Sequence, residues 1–159
     1  MSADFEVRQP TPEDAEALAR LCTQLGYPCT PDVIPARIAR LDTDQGARGF
    51  VVTRSTEVLG LVTVHMRHTM NHDAPIAQLS LLVVDERARR SGAGRRLVRA
   101  VEDWAREHGA ERVVVNTALH RDEAHRFYES LAYRHTGRRY MKDLPTGSSE
   151  RVMHTHDGA

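Results

Sequence analysis

The sequence is poor in several things, and each shortage excludes a class of protein. It has two cysteines, Cys22 and Cys29. Their spacing fits neither a disulfide framework nor a zinc pattern, and thiols this sparse are expected to stay reduced, as in a cytoplasm. Neither sign of charge is in excess, since 22 basic residues face 22 acidic ones. Nucleic-acid and membrane-surface binders draw affinity from surplus positive charge, so the balance argues against both partners. No apolar run approaches the length of a membrane span. The opening MSADFEVRQP is polar and charged, unlike a secretory leader. Lysine is nearly absent, Lys142 being the only one. Codon usage accounts for that bias, although arginine is also the better partner for bidentate phosphate contacts.

What is present is ordinary for a soluble globular protein: 159 residues, 40% hydrophobic and 28% charged, enough for one domain with a real core. Phe5–Arg8 reads as a first strand. Thr11-Pro12-Glu13-Asp14 is a helix start, with Thr11 as N-cap, proline at the first helical position and acids in the first turn. Ala15, Leu18, Ala19, Cys22 and Leu25 recur at helical spacing, and Gly26 ends the run. A second helix is expected from about Val33 to Leu41, with Pro35 tolerable only in its first turn. Gly49–Thr53 and Val58–Met66 read as a hairpin, and Ile76–Val84 as a further strand. The segment Gly94–His108 reads as the main helix, with Leu97, Val98, Val101, Trp104 and Ala105 on one face. Arg112–Asn116 is expected as a strand, Glu123 to Leu131 as a helix capped by Asp122, and Tyr133 with Arg138–Leu144 as last strands. Residues 145–159 read as a polar tail, leaving one domain over 1–144. Two strands flanking the main helix form a βαβ unit and imply parallel pairing, whereas the hairpins imply antiparallel pairing. The expected fold is a mixed α/β sheet with helices on both faces.

The stretch Leu79–Trp104, LSLLVVDERARRSGAGRRLVRAVEDW, organises the rest. An apolar strand ends in a charged turn, an arginine-flanked glycine loop follows, and a helix begins. Loop N–H groups and a helix N-terminus together bind anions. Gly92 and Gly94 let backbone approach a bulky anion, and Arg89, Arg90 and Arg95 can neutralise phosphate. The loop is not a P-loop, because no Gly-Lys-Ser/Thr follows at the required spacing, and its late position and spacing do not fit a Rossmann fingerprint.

One βα unit later comes HRDEAHRFYESLAY. With VVDERARRSGAGRRL upstream, the span Phe5–Leu144 resembles the GNAT superfamily of N-acetyltransferases. The first segment looks like that family's acetyl-CoA motif, and AHRFYESLAY looks like its downstream A-x-x-F-Y-x-x-L-G-Y/F motif. Two departures stand out: Ala132 occupies the usual glycine, and Asp85 stands where proline is common. The resemblance implies a central, mostly antiparallel sheet with one splayed parallel pair that admits the pantetheine arm of acetyl-CoA. It implies that backbone groups of Leu82, Val83 and Val84 bond the arm and the thioester. It further implies that N–H groups of Arg90, Ser91, Gly92, Ala93, Gly94 and Arg95, beside Arg89, bind the pyrophosphate, and that Asn116 and Arg121 touch the distal cofactor. Tyr128 is the catalytic candidate that would supply or share a proton with the departing thiolate. Core packing against Phe127 is the alternative for that side chain.

The base is open. His65, His68 and His72 cluster at the end of one strand and in the loop after it, and histidine titrates in the useful range. His65 is the first candidate, with Asp73, Glu86 or a water relay as alternatives. The spacing H-x-x-H-x-x-x-H is not a standard zinc arrangement, so no metal is expected. The surrounding stretch nevertheless looks similar to aminoalkylphosphonate N-acetyltransferases, some of which depend on divalent metal. Tyr27, His68 and His72 are the candidate substrate contacts. The expected activity is transfer of acetyl from acetyl-CoA to the primary amine of a small molecule by direct attack in a ternary complex. The alternatives are a protein or peptide acetyltransferase and a non-catalytic acyl-CoA sensor. Dimers are common in the family the chain resembles, and nothing in the sequence marks a homodimer interface.

Overall fold

The computed structural model describes residues 4–116 and 122–146. Five strands form one sheet in the order β1-β2-β3-β4-β5: β1 Phe5–Arg8, β2 Ala47–Arg54, β3 Glu57–Arg67, β4 Ile76–Val84 and β5 Val113–Val115. The helices are α1 Ala15–Leu25, α2 Ile34–Thr43, α3 Ala93–Glu107 and α4 Asp122–Ser130. The first three strand pairs are antiparallel, and β4 with β5 is parallel. The expected mixed sheet is therefore the one observed.

Each face of the sheet has its own apolar layer. On one face Val52, Val62, Val64, Ala77 and Leu79 pack with Leu97, Val98, Val101 and Trp104 of α3 and Tyr128 of α4. On the other, Val51, Leu61 and Val83 pack with Leu18 and Leu21 of α1 and Ile34 and Ile38 of α2. The five α3 residues expected on one face are all buried. Full burial of side chains such as Leu97 and Val101 is worth about 1.5–3 kcal/mol each. That burial fixes α3 against the sheet and so fixes the loop before it. The Arg96 guanidinium adds a bond to the Phe5 carbonyl at 3.0 Å, tying α3 to the first strand.

Helix starts and stops follow local chemistry. Thr11 N–H donates to the Asp14 carboxylate at 2.8 Å, and Pro12–Asp14 forms a 3-10 turn that leads into α1. Pro35 lies in the first turn of α2, where its missing N–H costs nothing. Three helices close with the same pair of bonds, the second of which reaches back five residues. Tyr27 N–H reaches the Cys22 carbonyl after α1, Ala110 reaches Ala105 after α3, and Tyr133 reaches Tyr128 after α4. That closure puts one residue in the left-handed region. It is Gly26 at φ 104° and Gly109 at φ 85°, but Ala132 at φ 68°.

The expected last strands are not there. Residues 131–146 form no strand, and Tyr140, Met141 and Leu144 are exposed. Local β-propensity suggested strands, but Arg138, Arg139, Lys142 and Asp143 interrupt the apolar residues, so no face alternates well enough to be buried. Most of the expected tail, residues 147–159, lies outside the described residues.

Candidate active site

Strand β4 changes character at Ser80. Pairing with β3 runs Val64↔Leu79 and then Thr63↔Leu81, so Ser80 is an extra residue and β4 carries a bulge there. The consequence is visible in the packing. Ala77 and Leu79 face the α3 layer, Leu81 and Val83 face the α1/α2 layer, and Leu82 and Val84 return to the α3 layer. Bulges bend a strand, increase its twist and interrupt its ladder. The parallel pairing with β5 covers Ala77↔Val113, Gln78↔Val114 and Leu79↔Val115 and stops there. Among the described residues, then, β4 from Ser80 to Val84 has a partner on the β3 side only. The resemblance implied a splay at this place, and the bulge is the local feature that bends β4 there.

At the far end of this open half, Asp85 builds the turn into the glycine loop. Its N–H donates to the Leu59 carbonyl at 2.7 Å, and its own carbonyl accepts from Ala88 N–H at 2.8 Å. Its buried carboxylate accepts from Arg87 N–H at 3.0 Å and lies 3.5 Å from the Arg20 guanidinium of α1. The hydrogen-bonded Arg87 side chain holds that carboxyl below the usual carboxylate range, against the opposing effect of burial. Gln24 of α1 accepts from Glu86 N–H at 3.2 Å. Asp85 thus does through side-chain bonds what a proline would do through a fixed φ.

The loop is shaped for close approach. Ser91 Oγ donates to the Ala88 carbonyl and accepts from Ala93 N–H at 3.4 Å. Arg90 and Gly92 both hold positive φ, 61° and 93°. Arg89, Arg90, Ser91, Gly92 and Arg95 are exposed, whereas Ala93 is buried. Gly94 meets α4: a Cβ placed on it would lie 3.2 Å from Phe127 Cζ and 3.5 Å from Val84 Cγ2. The two motifs, about thirty residues apart in sequence, therefore touch.

Tyr128 is buried in the α3-side layer, to which Leu82, Val84 and Val115 also belong. It makes edge contacts with Phe127 at 5.2 Å and Tyr133 at 5.7 Å between ring centroids. Burial pushes its hydroxyl up to about 12, so it stays protonated near neutral pH. Tyr133 is held in turn by a 2.9 Å hydrogen bond to Glu102 of α3.

The histidines separate. His65 stands on β3 opposite Gln78, and its Nδ1 lies 2.8 Å from Ser80 Oγ, which is 2.8 Å from Thr63 Oγ1. His68 and His72 lie beyond the end of β3, and His72 lines a small polar hollow with Asp73, Glu111 and Arg112. Tyr27 follows α1, whose Gln24 reaches Glu86, so it is at the opposite end of the sheet. Eight residue steps of β4 intervene, about 26 Å at about 3.3 Å per step. Tyr27 therefore does not share a site with His72. Among the described residues no group of three or more His, Cys, Asp or Glu side chains is gathered to hold a metal, and no helix is long and apolar enough to cross a membrane. Asn116 is exposed just after β5, and Arg121 lies outside the described residues. The sequence reading missed Ser80 and the structural work of Asp85. Nothing in an apolar run marks a bulge, but a buried acid between a strand and a glycine loop could have been noticed.

Residues 14–133 match the profile of the Acetyltransferase (GNAT) family. The chain is 31% identical over 144 residues to an aminoalkylphosphonate N-acetyltransferase of Salmonella typhimurium, covering 87% of this chain and 91% of that protein. It is 27% identical over 135 residues to an aminoglycoside N(6')-acetyltransferase type 1 of Stenotrophomonas maltophilia, covering 83% and 88%. Its fold is similar to that of an aminoglycoside N-acetyltransferase crystallised with CoA, at TM-score 0.79 and 17% identity, covering 92% of this chain and 98% of that one.

Proposed function

The chain belongs to the GNAT acetyltransferase family, and we propose that it transfers the acetyl group of acetyl-CoA to the primary amine of a small molecule. The observation that carries this reading is the open half of β4, bounded by the bulge at Ser80 and by the glycine loop. Ladder groups from Ser80 to Val84, without a β5 partner among the described residues, suit an extended amide-bearing arm, and the loop from Arg89 to Arg95 suits its pyrophosphate. Asn116 and Arg121 are assigned to the distal part of the coenzyme. The relatives named for aminoalkylphosphonates and aminoglycosides support a small amine as acceptor.

In the proposed reaction the amine nitrogen attacks the thioester carbonyl, a C–N bond forms, and the C–S bond breaks. The amine proton leaves to His65, the histidine nearest the bulge. Tyr128 faces the developing thiolate. With its hydroxyl near 12, full proton transfer to a thiolate of pKa about 8.5 runs uphill. The hydroxyl therefore acts by donating a hydrogen bond that strengthens as sulfur gains charge. Tyr27 is assigned to the acceptor at the loop end of the sheet. His68 and His72, at the other end of the sheet, are not assigned to that acceptor contact.

The test is release of free thiol from acetyl-CoA against aminoalkylphosphonates, aminoglycosides and a lysine-bearing peptide. Turnover on one of the small amines is the expected outcome. Turnover on the peptide alone would replace the small-molecule assignment, and tight acetyl-CoA binding without turnover on any amine would make the protein a sensor.

A further inference from the structure

Strand β3 contributes Thr63 and His65 to one face, the face of Leu61, and Ser80 of β4 meets them there. Ser80 Oγ lies 2.8 Å from His65 Nδ1 and 2.8 Å from Thr63 Oγ1. Ser80 has no backbone partner position on β3, because Leu79 and Leu81 take the flanking ones. The bulge therefore puts Ser80 and Leu81 on the same face, and the Ser80 hydroxyl sits beside Thr63 and His65 without a ladder position of its own.

That placement has a protonic consequence. Nδ1 is occupied, so only Nε2 of His65 is left for a ligand. Once the ring is an imidazolium, both ring nitrogens are donors. Nδ1–H must then donate to Ser80 Oγ, and the Ser80 proton needs another acceptor. Thr63 Oγ1 is such an acceptor. If the same direction holds in the neutral ring, with Ser80 Oγ accepting from Nδ1–H, a lone pair is left on Nε2. We propose that Ser80, backed by Thr63, is a positioning residue that fixes the Nδ1–H tautomer of His65 and so presents Nε2 to the acceptor amine. This rests on the assignment of His65 as the base. The proton balance is simple: the amine loses a proton to Nε2, the ring becomes cationic, and the chain Nδ1–H to Ser80 to Thr63 is unchanged.

Nitrogen-15 correlation spectra of the labelled protein, taken where the ring is neutral, read the tautomer directly, with His65→Gln identifying the signal. The expected spectrum has Nδ1 protonated and Nε2 bare. A wild-type ring protonated at Nε2 would overturn the proposal without recourse to any variant. Ser80→Ala is expected to release the tautomer to Nε2–H and to lower kcat at least about tenfold, a part of the ~10²–10⁴ that a positioned base supplies. KM for acetyl-CoA should stay constant, and Ser80→Thr should restore both spectrum and rate. A Ser80→Ala enzyme with full kcat would equally count against the role. The roles of His65 and Ser80 separate cleanly. Full activity in His65→Gln removes the base assignment even if the tautomer is as expected, whereas an inactive His65→Gln with the wrong wild-type tautomer removes only Ser80.

Discussion

From Ile76 to Leu79, β4 is held on both edges, by β3 on one side and β5 on the other. From Ser80 to Val84 only the β3 edge is paired among the described residues. The two halves have similar composition, Ile-Ala-Gln-Leu against Ser-Leu-Leu-Val-Val, so side-chain polarity does not separate them. What separates them is where ladder groups find partners. An open edge normally invites aggregation and is blunted by charge, proline or a cover. Here the open half carries neither lysine nor proline, and α4 packs its Phe127 beside Val84 and Gly94. An edge kept apolar, open and half-covered is suited to a guest rather than to another strand.

Four substitutions would break or sharpen that contrast. The largest effect is expected in the closed half. Leu79 is buried at 2% exposure, and Leu79→Ala should cost about 2–5 kcal/mol in denaturant unfolding while leaving KM for acetyl-CoA near its original value. Tyr128→Phe should do the reverse, lowering kcat by about 10²-fold with little change in melting temperature. Unchanged turnover would remove its role at the thiolate. At the loop, Gly92→Ala forces an L side chain into φ 93°, a cost of about 1–2 kcal/mol, and calorimetry should find weaker acetyl-CoA binding. The smallest effect is a gain. Ala132 sits at φ 68°, so Ala132→Gly should stabilise the α4 terminus by up to about 1 kcal/mol, visible as a higher melting point at unaltered kcat.

The same contrast explains what the sequence made legible. Helix α3 was readable because Leu97, Val98, Val101, Trp104 and Ala105 are spaced for one face and its opposite face is charged. The glycine loop was readable because Gly92 and Gly94 sit between a strand and that helix. The splay was available only through resemblance. Both faces of β4 are covered, so its residues are apolar without alternation, and a one-residue slip leaves no trace in such a run. The last strands failed for the converse reason: propensity is local, but a strand exists only when another chain segment accepts its bonds. The acceptor side was least legible. Histidines at three nearby positions look like one cluster in sequence, yet His65 ends beside Ser80 while His72 ends beside Glu111 and Arg112.

The helix ends carry a related lesson. Gly26, Gly109 and Ala132 occupy equivalent positions in three similar closures, and only the third bears a Cβ. The departure from glycine at Ala132 did not change the turn. The chain adopts the same left-handed geometry and absorbs the strain, held by the Tyr133 bond to Glu102.

The bulge at Ser80 makes β4 a strand of shifted parity. Insertions and deletions are usually judged by whether a loop can absorb them, but here a single added or lost residue acts inside a strand. One residue inserted beside Ser80 would reverse the alternation of Leu81 through Val84 relative to Ala77 and Leu79, exchanging the sides of all four. Leu82 and Val84 would leave the layer of Tyr128, and Leu81 and Val83 would enter it. The chain would keep almost all of its composition and lose the alignment of its two motifs. Variation in the length of this strand is therefore far less tolerable than variation in its apolar identity.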